Sequence, residues 1–569
     1  MDSEEPHGRP SADHSLLLIC LLALMTHQLF RYFETFSKAT HILLLCAPLL
    51  ASFQLLRPAM APSGAACVSA VVFFATLLLS TALYRISPFH RLAKYPGPFP
   101  CRLSKFWMAC ISTAGRQHLY IKGLHEGYGD VVRIGPNELS FNDPSIVNVA
   151  LGSPGVPKGP LSVGRLLTAT DLPLPGIMDP QVHQERRKPW NRAMSANALK
   201  EYEPQLSNRA TQLVHVLGTQ KQDIDIGQFI KFFAYDFMSD MAYGGGSELL
   251  RDGDQNNIWD TLKEGMPAAT FLSHVPWLAI YFGSIPVVSA RVMRLLSHCR
   301  EYTLQRIRRG TVRKDIFHYL SNEDQPGVDS PPLKQLVDDG VLAIVAGADT
   351  TSSALTSLFF CLGTHPAAYK RLQAEIDRFY PPGEDPCDAR HHRDMHYLTA
   401  VINETLRLYP PVPGGTQRQV PHRSPGVMLG PYFVPPGTVI FLHSYTIQRD
   451  PRNFSPFPND FWPERWLVAA GRASPSDLDI KQSAYTGSMG DASSFAHNEA
   501  AFIPFSYGPA NCVGKQLAMQ EMRTVVSSVM QKFELRLREG WDPREYDEGF
   551  KDFFVTTRPA VPVTLRARY

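Results

Sequence analysis

Apolar and polar residues follow two different rhythms along this chain. Over the first ninety residues apolar positions form nearly unbroken runs at 15–30, 41–56 and 64–84. The third run holds 21 residues without a charge. A helix of about 20 apolar residues crosses the hydrocarbon core of a bilayer, so this run predicts a membrane-spanning helix. The first two runs are shorter, and Pro48 interrupts the second. Each fits a spanning helix or an interfacial or re-entrant segment equally well. A cleaved signal peptide is a further reading of residues 15–30. It is disfavoured because Asp2, Glu4, Glu5 and Asp13 precede the run where a basic stretch belongs.

Beyond residue 99 apolar positions recur every three or four residues. This spacing predicts helices over 332–362, 366–378, 394–409 and 514–533. A short strand is predicted over 438–442, after the turn Pro435-Pro436-Gly437. Residues 472–499 are rich in Ser, Gly and Asp and predict an exposed insertion loop. The fold class is therefore mostly α with small β-sheets in one large domain, behind an N-terminal transmembrane helix or helices. The division is 1–94 for the anchor and 95–569 for the body.

Charge orients this arrangement. Arg85, Arg91, Lys94, Arg102 and Lys105 follow the third run, and positive flanks stay cytosolic. The body then faces the cytosol, and the acidic N-terminus lies across the membrane whether the chain crosses once or three times. Tyr95-Pro96-Gly97-Pro98 predicts a stiff, non-helical hinge between anchor and body. Lys plus Arg total 56 against 53 Asp plus Glu, a balance that excludes a nucleic-acid binder. Nine cysteines are scattered without Cys-x-x-Cys spacing or a neighbouring His cluster. Neither a disulfide framework nor a structural zinc site is predicted.

One cysteine differs. Around it the chain reads Phe505-Ser506-Tyr507-Gly508-Pro509-Ala510-Asn511-Cys512-Val513-Gly514. Gly508 and Gly514 allow backbone to approach a flat cofactor closely. Cys512 precedes a predicted helix, whose dipole and free N–H groups favour a thiolate. Such a thiolate can ligate iron.

This loop, F-x-x-G-x-x-x-C-x-G, resembles the haem-ligand loop of the cytochrome P-450 superfamily, and three further segments resemble the family in the right order. Glu404-Thr405-Leu406-Arg407 is similar to its E-x-x-R, with Arg465 of Pro463-Glu464-Arg465-Trp466 as the third member of a structural network. Ala346-Gly347-Ala348-Asp349-Thr350-Thr351 is similar to its distal-helix segment. There the resemblance implies that Thr350 hydrogen-bonds dioxygen and Asp349 relays protons. His183-Gln184-Glu185-Arg186-Arg187 stands where the family often has W-x-x-x-R, with His183 in the Trp place, and Arg418 is similar to another partner of the haem propionates. Two departures stand out. Ala510 replaces the usual Arg or His, removing one charge-assisted bond to a propionate and shifting that burden to His183, Arg187 and Arg418. Gln448 replaces a common His.

The resemblance covers roughly residues 95–569 and is closest in style to fungal microsomal members. It implies the cytochrome P-450 fold, with haem b held by Cys512, Phe505, Gly508 and Gly514 beside the propionate partners. It also implies NADPH acting through a separate reductase, an endoplasmic reticulum membrane location, and monooxygenation of a small apolar specialised metabolite such as a terpenoid. The rival readings are a haem-thiolate isomerase or dehydratase that uses no dioxygen, and a haem-binding protein without turnover. Residues 229–243 and 158–180 are candidates for lining the substrate pocket, or equally ordinary core and surface loop.

Overall fold

The computed structural model describes residues 12–255, 257–474 and 494–569. All three N-terminal runs are helices: α1 (Ala12–Tyr32), α2 (Lys38–Leu56) and α3 (Pro62–Ile86). Pro48 lies inside α2 without ending it. The three pack around Ile19, Ala23, Ala65 and Phe73. Their outward side chains are apolar as well: Leu17, Leu43, Leu50, Val71 and Leu78 are 61–69% exposed. A surface of this kind is stable in lipid, which has no water to exclude.

The Pro-rich stretch after α3 is non-helical as expected, but it is no free hinge. The Tyr95 hydroxyl donates to the Phe433 carbonyl at 2.7 Å, and the Arg133 amide donates to Pro96 O at 2.7 Å. Arg85, in the last turn of α3, donates to Leu103 O at 2.8 Å and accepts at its own carbonyl from Arg133 at 3.1 Å. Anchor and body are bolted together.

The body is helical with small sheets. β1 (Val131–Gly135) and β2 (Glu138–Phe141) form a hairpin near its start. There follow α4 (Leu161–Leu166), α5 (Pro180–Ala193), α6 (Ile226–Tyr243), α7 (Ile258–His274) and α8 (Pro276–Phe282). The predicted helices are α9 (Leu333–Thr364), α10 (Pro366–Phe379), α11 (His396–Leu408) and α12 (Lys515–Lys532). The predicted strand is β4 (Val439–Leu442), which joins β3 (Thr416–Gln419) in a sheet of order β1–β2–β4–β3. β2 and β4 run parallel; the other pairs are antiparallel. A last hairpin, β5 (Lys551–Phe553) and β6 (Val555–Thr557), turns at Phe554. The insertion at 472–499 is not wholly loop. Ala496–His497 pairs with Phe454–Ser455, while residues 475–493 lie outside the described residues.

The long helix α9 is apolar enough to cross a membrane, yet 67% of its apolar window is buried at the centre of the body. Its poor helix formers are accommodated by back-bonding. Thr350 and Thr356 donate to the carbonyls four residues earlier at 2.6 and 2.7 Å, as does Ser357 at 3.0 Å. It ends at Thr364, because His365 precedes Pro366 and that position disfavours α geometry.

Behind the cavity the Glu404 network forms as the resemblance implied. Glu404, Arg407 and Arg465 are fully buried, with Arg407 Nη2 and Arg465 Nε at 2.8 and 3.0 Å from Glu404 Oε1. The Trp462 amide and the Trp466 indole also donate to the same carboxylate, each at 3.0 Å. Arg407 Nη1 and Nη2 bond the carbonyls of Gln448, Pro458 and Asp460, and Arg465 Nη2 bonds those of Pro456 and Phe457. Burial opposes the charge on Glu404, but Arg407 and Arg465 prevail and hold the carboxyl at about 2. Burial takes Arg465 down to about 10, so it stays charged at neutral pH. Gln448 proves structural: its amide donates to Leu406 O and Arg407 O at 3.1 and 3.0 Å, and its Oε1 accepts from Ile503 N at 3.1 Å. It ties the end of α11 to the cysteine loop.

Glu404→Gln strands two buried guanidinium groups and should lower stability by about 3–5 kcal/mol in denaturant melts. Because the folded-state value lies below the ordinary 4.5, this carboxylate's contribution is complete above pH 4.5. It fades as pH falls toward 2, and the loss should show in an acid titration followed by circular dichroism.

Candidate active site

Cys512 and α9 face each other across one cavity of ≈ 360 Å³. Phe505, Ser506 and Ala510 to Gly514 form one wall, and Ala346, Gly347, Thr350, Thr351 and Ala354 of α9 form the other. Such an enclosed, largely apolar space with a few convergent polar groups is the usual form of a small-molecule site.

The cysteine loop is held by backbone bonds. Cys512 N donates to Phe505 O at 2.9 Å, and Asn511 N donates to Gly508 O at 3.1 Å. Gly508 has φ +72°, and a Cβ there would lie 2.0 Å from Leu151 O. Its role is to seat the turn on that backbone, and it does not reach the cavity wall. Gly514 does line the cavity, with its Cβ position 4.0 Å from the Cys512 sulfur. The sulfur is accessible from the cavity while enclosed by protein.

The expectation of a readily ionised thiol does not hold for the protein alone. α12 begins at Lys515, and burial pushes the Cys512 thiol up. Bonds from the Gly514 and Lys515 amides, with the charges of Arg187 and Lys515, only partly offset this. A metal cation supplies the missing stabilisation, since a coordinating thiol is deprotonated outright.

On another side of the cavity stand the basic side chains Lys158, His183 and Arg187, with Arg418 beside Lys158. His183 and Arg187 stand one turn apart on α5, which starts cleanly because the Asp179 carboxylate caps the amides of Gln181 and Val182 at 2.8 and 2.9 Å. Arg418 comes from β3, and an isolated bridge places Lys158 directly opposite it. Lys158 was missed by sequence reasoning. Its one signal was being the single charge between residues 144 and 164. It donates to Leu174 O at 3.0 Å; burial, then Arg418 and Arg187, take it down to about 7. Burial and the same neighbours take His183 down to about 4. Burial alone takes Arg418 to about 10, and its Nε and Nη2 have no acceptor among the described residues. Arg187 Nη1 and Nη2 bond the carbonyl and side-chain oxygens of Asn511, both at 2.7 Å, so it braces the residue before Cys512.

No carboxylate among the described residues bonds to any of the four. Buried, unbalanced positive charge beside an apolar slot fits a flat dianion. The two propionates of haem meet that requirement, with the Cys512 sulfur placed to take its iron.

The distal helix divides its residues. Thr350 lines the cavity, its hydroxyl donating to Ala346 O at 2.6 Å. Asp349 is buried and lies off the cavity wall. Burial raises its carboxyl, against the pull of Arg558, Lys231 and Arg165. Of the two candidate lining segments, 158–180 contributes Lys158, Gly159, Leu161, Ser162, Leu174 and Pro175. From 229–243 the lining includes Met238; the rest of that segment is mainly core of α6.

A family profile described as cytochrome P450 (P-450) matches residues 94–563. The chain is 32% identical over 501 residues to cytochrome P-450 monooxygenase FCK2 of Fusarium pseudograminearum (strain CS3096), covering 86% of this chain and 85% of the relative. It is 33% identical over 496 residues to cytochrome P-450 monooxygenase orf5 of Eupenicillium brefeldianum, covering 86% and 94%. It is 29% identical over 513 residues to tryprostatin B 6-hydroxylase of Aspergillus fumigatus, covering 88% and 84%.

Arg418→Met removes a charge-assisted bond worth about 1.5–3 kcal/mol. Haem transfer to apomyoglobin should accelerate roughly ten- to a hundredfold. Lys158→Met should act in the same direction, and unchanged transfer in both would remove these residues from the cofactor site.

Proposed function

The chain belongs to the cytochrome P-450 family of monooxygenases, and from that premise we propose that Cys512 holds haem b while dioxygen is used to oxidise a small apolar specialised metabolite. The observation that carries this reading is an accessible thiol in a cavity lined by Lys158 and Arg187, with the buried, unpaired Arg418 guanidinium beside Lys158. Electrons come from NADPH through a separate reductase, and the protein works in the endoplasmic reticulum membrane with its body in the cytosol. The overall change consumes a substrate C–H bond, dioxygen, two electrons and two protons, and yields C–OH and water.

Bound haem supplies the oxygen-activating and electron-accepting chemistry. The chain supplies everything else. Cys512 would hold the iron, and Lys158, His183, Arg187 and Arg418 would hold the propionates. Phe505 and Gly514 bound the ring's space. Thr350 holds a proton at Oγ1 on the cavity wall, and Asp349 holds the next one on the buried side of the same helical turn. Burial favours the protonated Asp349 carboxyl, which suits a proton donor. Leu161, Leu342, Ala343, Ala354 and Val412 line the cavity, exclude water and select an apolar substrate. The likeness to a 6-hydroxylase supports hydroxylation of a specialised metabolite, and the largely apolar walls favour an apolar one such as a terpenoid.

Reduced protein under carbon monoxide should show the difference band of thiolate-ligated haem, and Cys512→Ser should abolish it. Thr350→Ala should retain the band while NADPH consumption, in membranes with reductase, no longer matches product. Intact coupling in Thr350→Ala would rule out its proton role. A band in the wild type without NADPH-dependent product would favour the isomerase, dehydratase or non-catalytic readings.

A further inference from the structure

The helices before α3 do more than add apolar length. Short turns, residues 33–37 and 57–61, join the three, and α1 packs on both others. At about 1.5 Å per residue each helix is roughly 28–38 Å long, enough to cross the hydrocarbon core. The end of α3 is bolted to the body. The turn at 33–37 lies at that same end, and this turn together with the first turn of α2 touches the body at two places.

At the first place, Glu34 Oε2 accepts from Gln419 Nε2 at 2.9 Å and faces His422 Nε2 at 3.3 Å. Gln419 ends β3, next to Arg418, and its backbone amide donates to Pro157 O at 2.9 Å. At the second, the His41 ring stacks on Tyr281 of α8 with centroids 5.9 Å apart. His41 Nδ1 is 3.0 Å from the Tyr281 hydroxyl, and Nε2 is 2.8 Å from Thr35 O. Lys38 donates to Ser284 just beyond α8. His41 is buried by these contacts.

From α8 the contact continues to the cavity without a flexible link. A Cβ on Gly283 would lie 2.3 Å from Leu167 O, and one on Gly164 would lie 2.1 Å from Leu272 O. The backbone around α4 therefore abuts α7 and the end of α8 directly. Leu161 and Ser162 of α4 form cavity wall.

We propose that the chain crosses the bilayer three times and that its first cytosolic turn with the start of α2, residues 34–41, clasps α8 and the end of β3, so that the anchor holds the wall of the substrate cavity in place. The clasp ties the opening of that wall to the membrane, the phase from which an apolar substrate arrives. A single crossing by α3 would put Glu34 and His41 on the far side of the bilayer from Gln419 and Tyr281. The contacts and the three-span topology therefore stand or fall together.

The first test uses full-length protein in sealed microsomes with the cytosolic face outward. Glu34→Cys paired with Gln419→Cys is treated with a short bis-maleimide and read by mass spectrometry of joined peptides. Joined 34–419 peptides are expected. A thiol at 34 that reacts only after detergent overturns the three-span topology, and one that reacts freely without joining 419 overturns the clasp. This readout needs no haem, so its failure is separate from failure of the monooxygenase reading.

The second test follows 4-phenylimidazole binding to the haem-loaded protein by stopped flow. His41→Ala, and the milder Tyr281→Phe should the first not accumulate, are each expected to speed association and dissociation together, roughly fivefold. That is the fold-change equivalent of about 1 kcal/mol at 1.4 kcal/mol per decade. The carbon monoxide band should be unaltered. Unchanged rates in Tyr281→Phe with the hydroxyl gone would overturn the coupling of clasp to cavity.

Discussion

Positive charge buried without a protein anion to balance it constrains the whole interior. Lys158 and Arg187 line one side of the cavity with Arg418 beside Lys158, and Arg418 presents two buried donors with no acceptor among the described residues. Burying a charge is costly unless it is paired. The depressed values of Lys158 and Arg418 record that cost. A dianionic cofactor relieves it, so cofactor binding and folding are linked: whatever binds only the folded state stabilises that state. Burial likewise pushes the Cys512 thiol up, so a bound cation would favour its ionised form.

A second buried charge cluster, around Glu404, has the opposite character. Its carboxylate accepts from two guanidinium groups, one backbone amide and one indole, and it is complete without a ligand. The same arginines take up the carbonyls of residues 456–460, which fixes the segment behind the cysteine loop. Gln448 extends this brace to Ile503, where the loop begins. A rigid, satisfied cluster at the back thus supports an unsatisfied one at the front. Pre-organised holding groups lower the cost of ordering a cofactor.

Solvent changes at the anchor, and the packing rule inverts there. Leu and Val residues point outward from α1–α3, while α9 is enclosed by the body. Hydropathy alone does not separate these cases, because α9, despite Asp349 within it, is still long and apolar enough to cross a membrane. What separates them is whether other protein surrounds the helix.

Periodicity and apolar runs determined the helical class, four of the body's long helices to within two residues at each end, and the three N-terminal helices, but not the helices Ala196–Gly218 and Pro286–Arg309. Those features are set by the 3.6-residue repeat and by Pro and Gly punctuation, which are local. The motif around Cys512 and the triad Glu404, Arg407 and Arg465 were legible because residue type and spacing already encode their pairing. Lys158 was not legible, since its meaning comes from lying opposite Arg418 on a strand some 260 residues away. The packing partners of Gly508 and the Pro-rich stretch, Leu151 O and Arg133, were not legible for a related reason: they belong to distant segments. Asp349 and Thr350 are adjacent in sequence, yet only the packing of α9 put one on the cavity and the other behind it. Sequence determines what each segment can form; tertiary structure decides which charges are left unpaired, because pairing depends on distances that only folding sets.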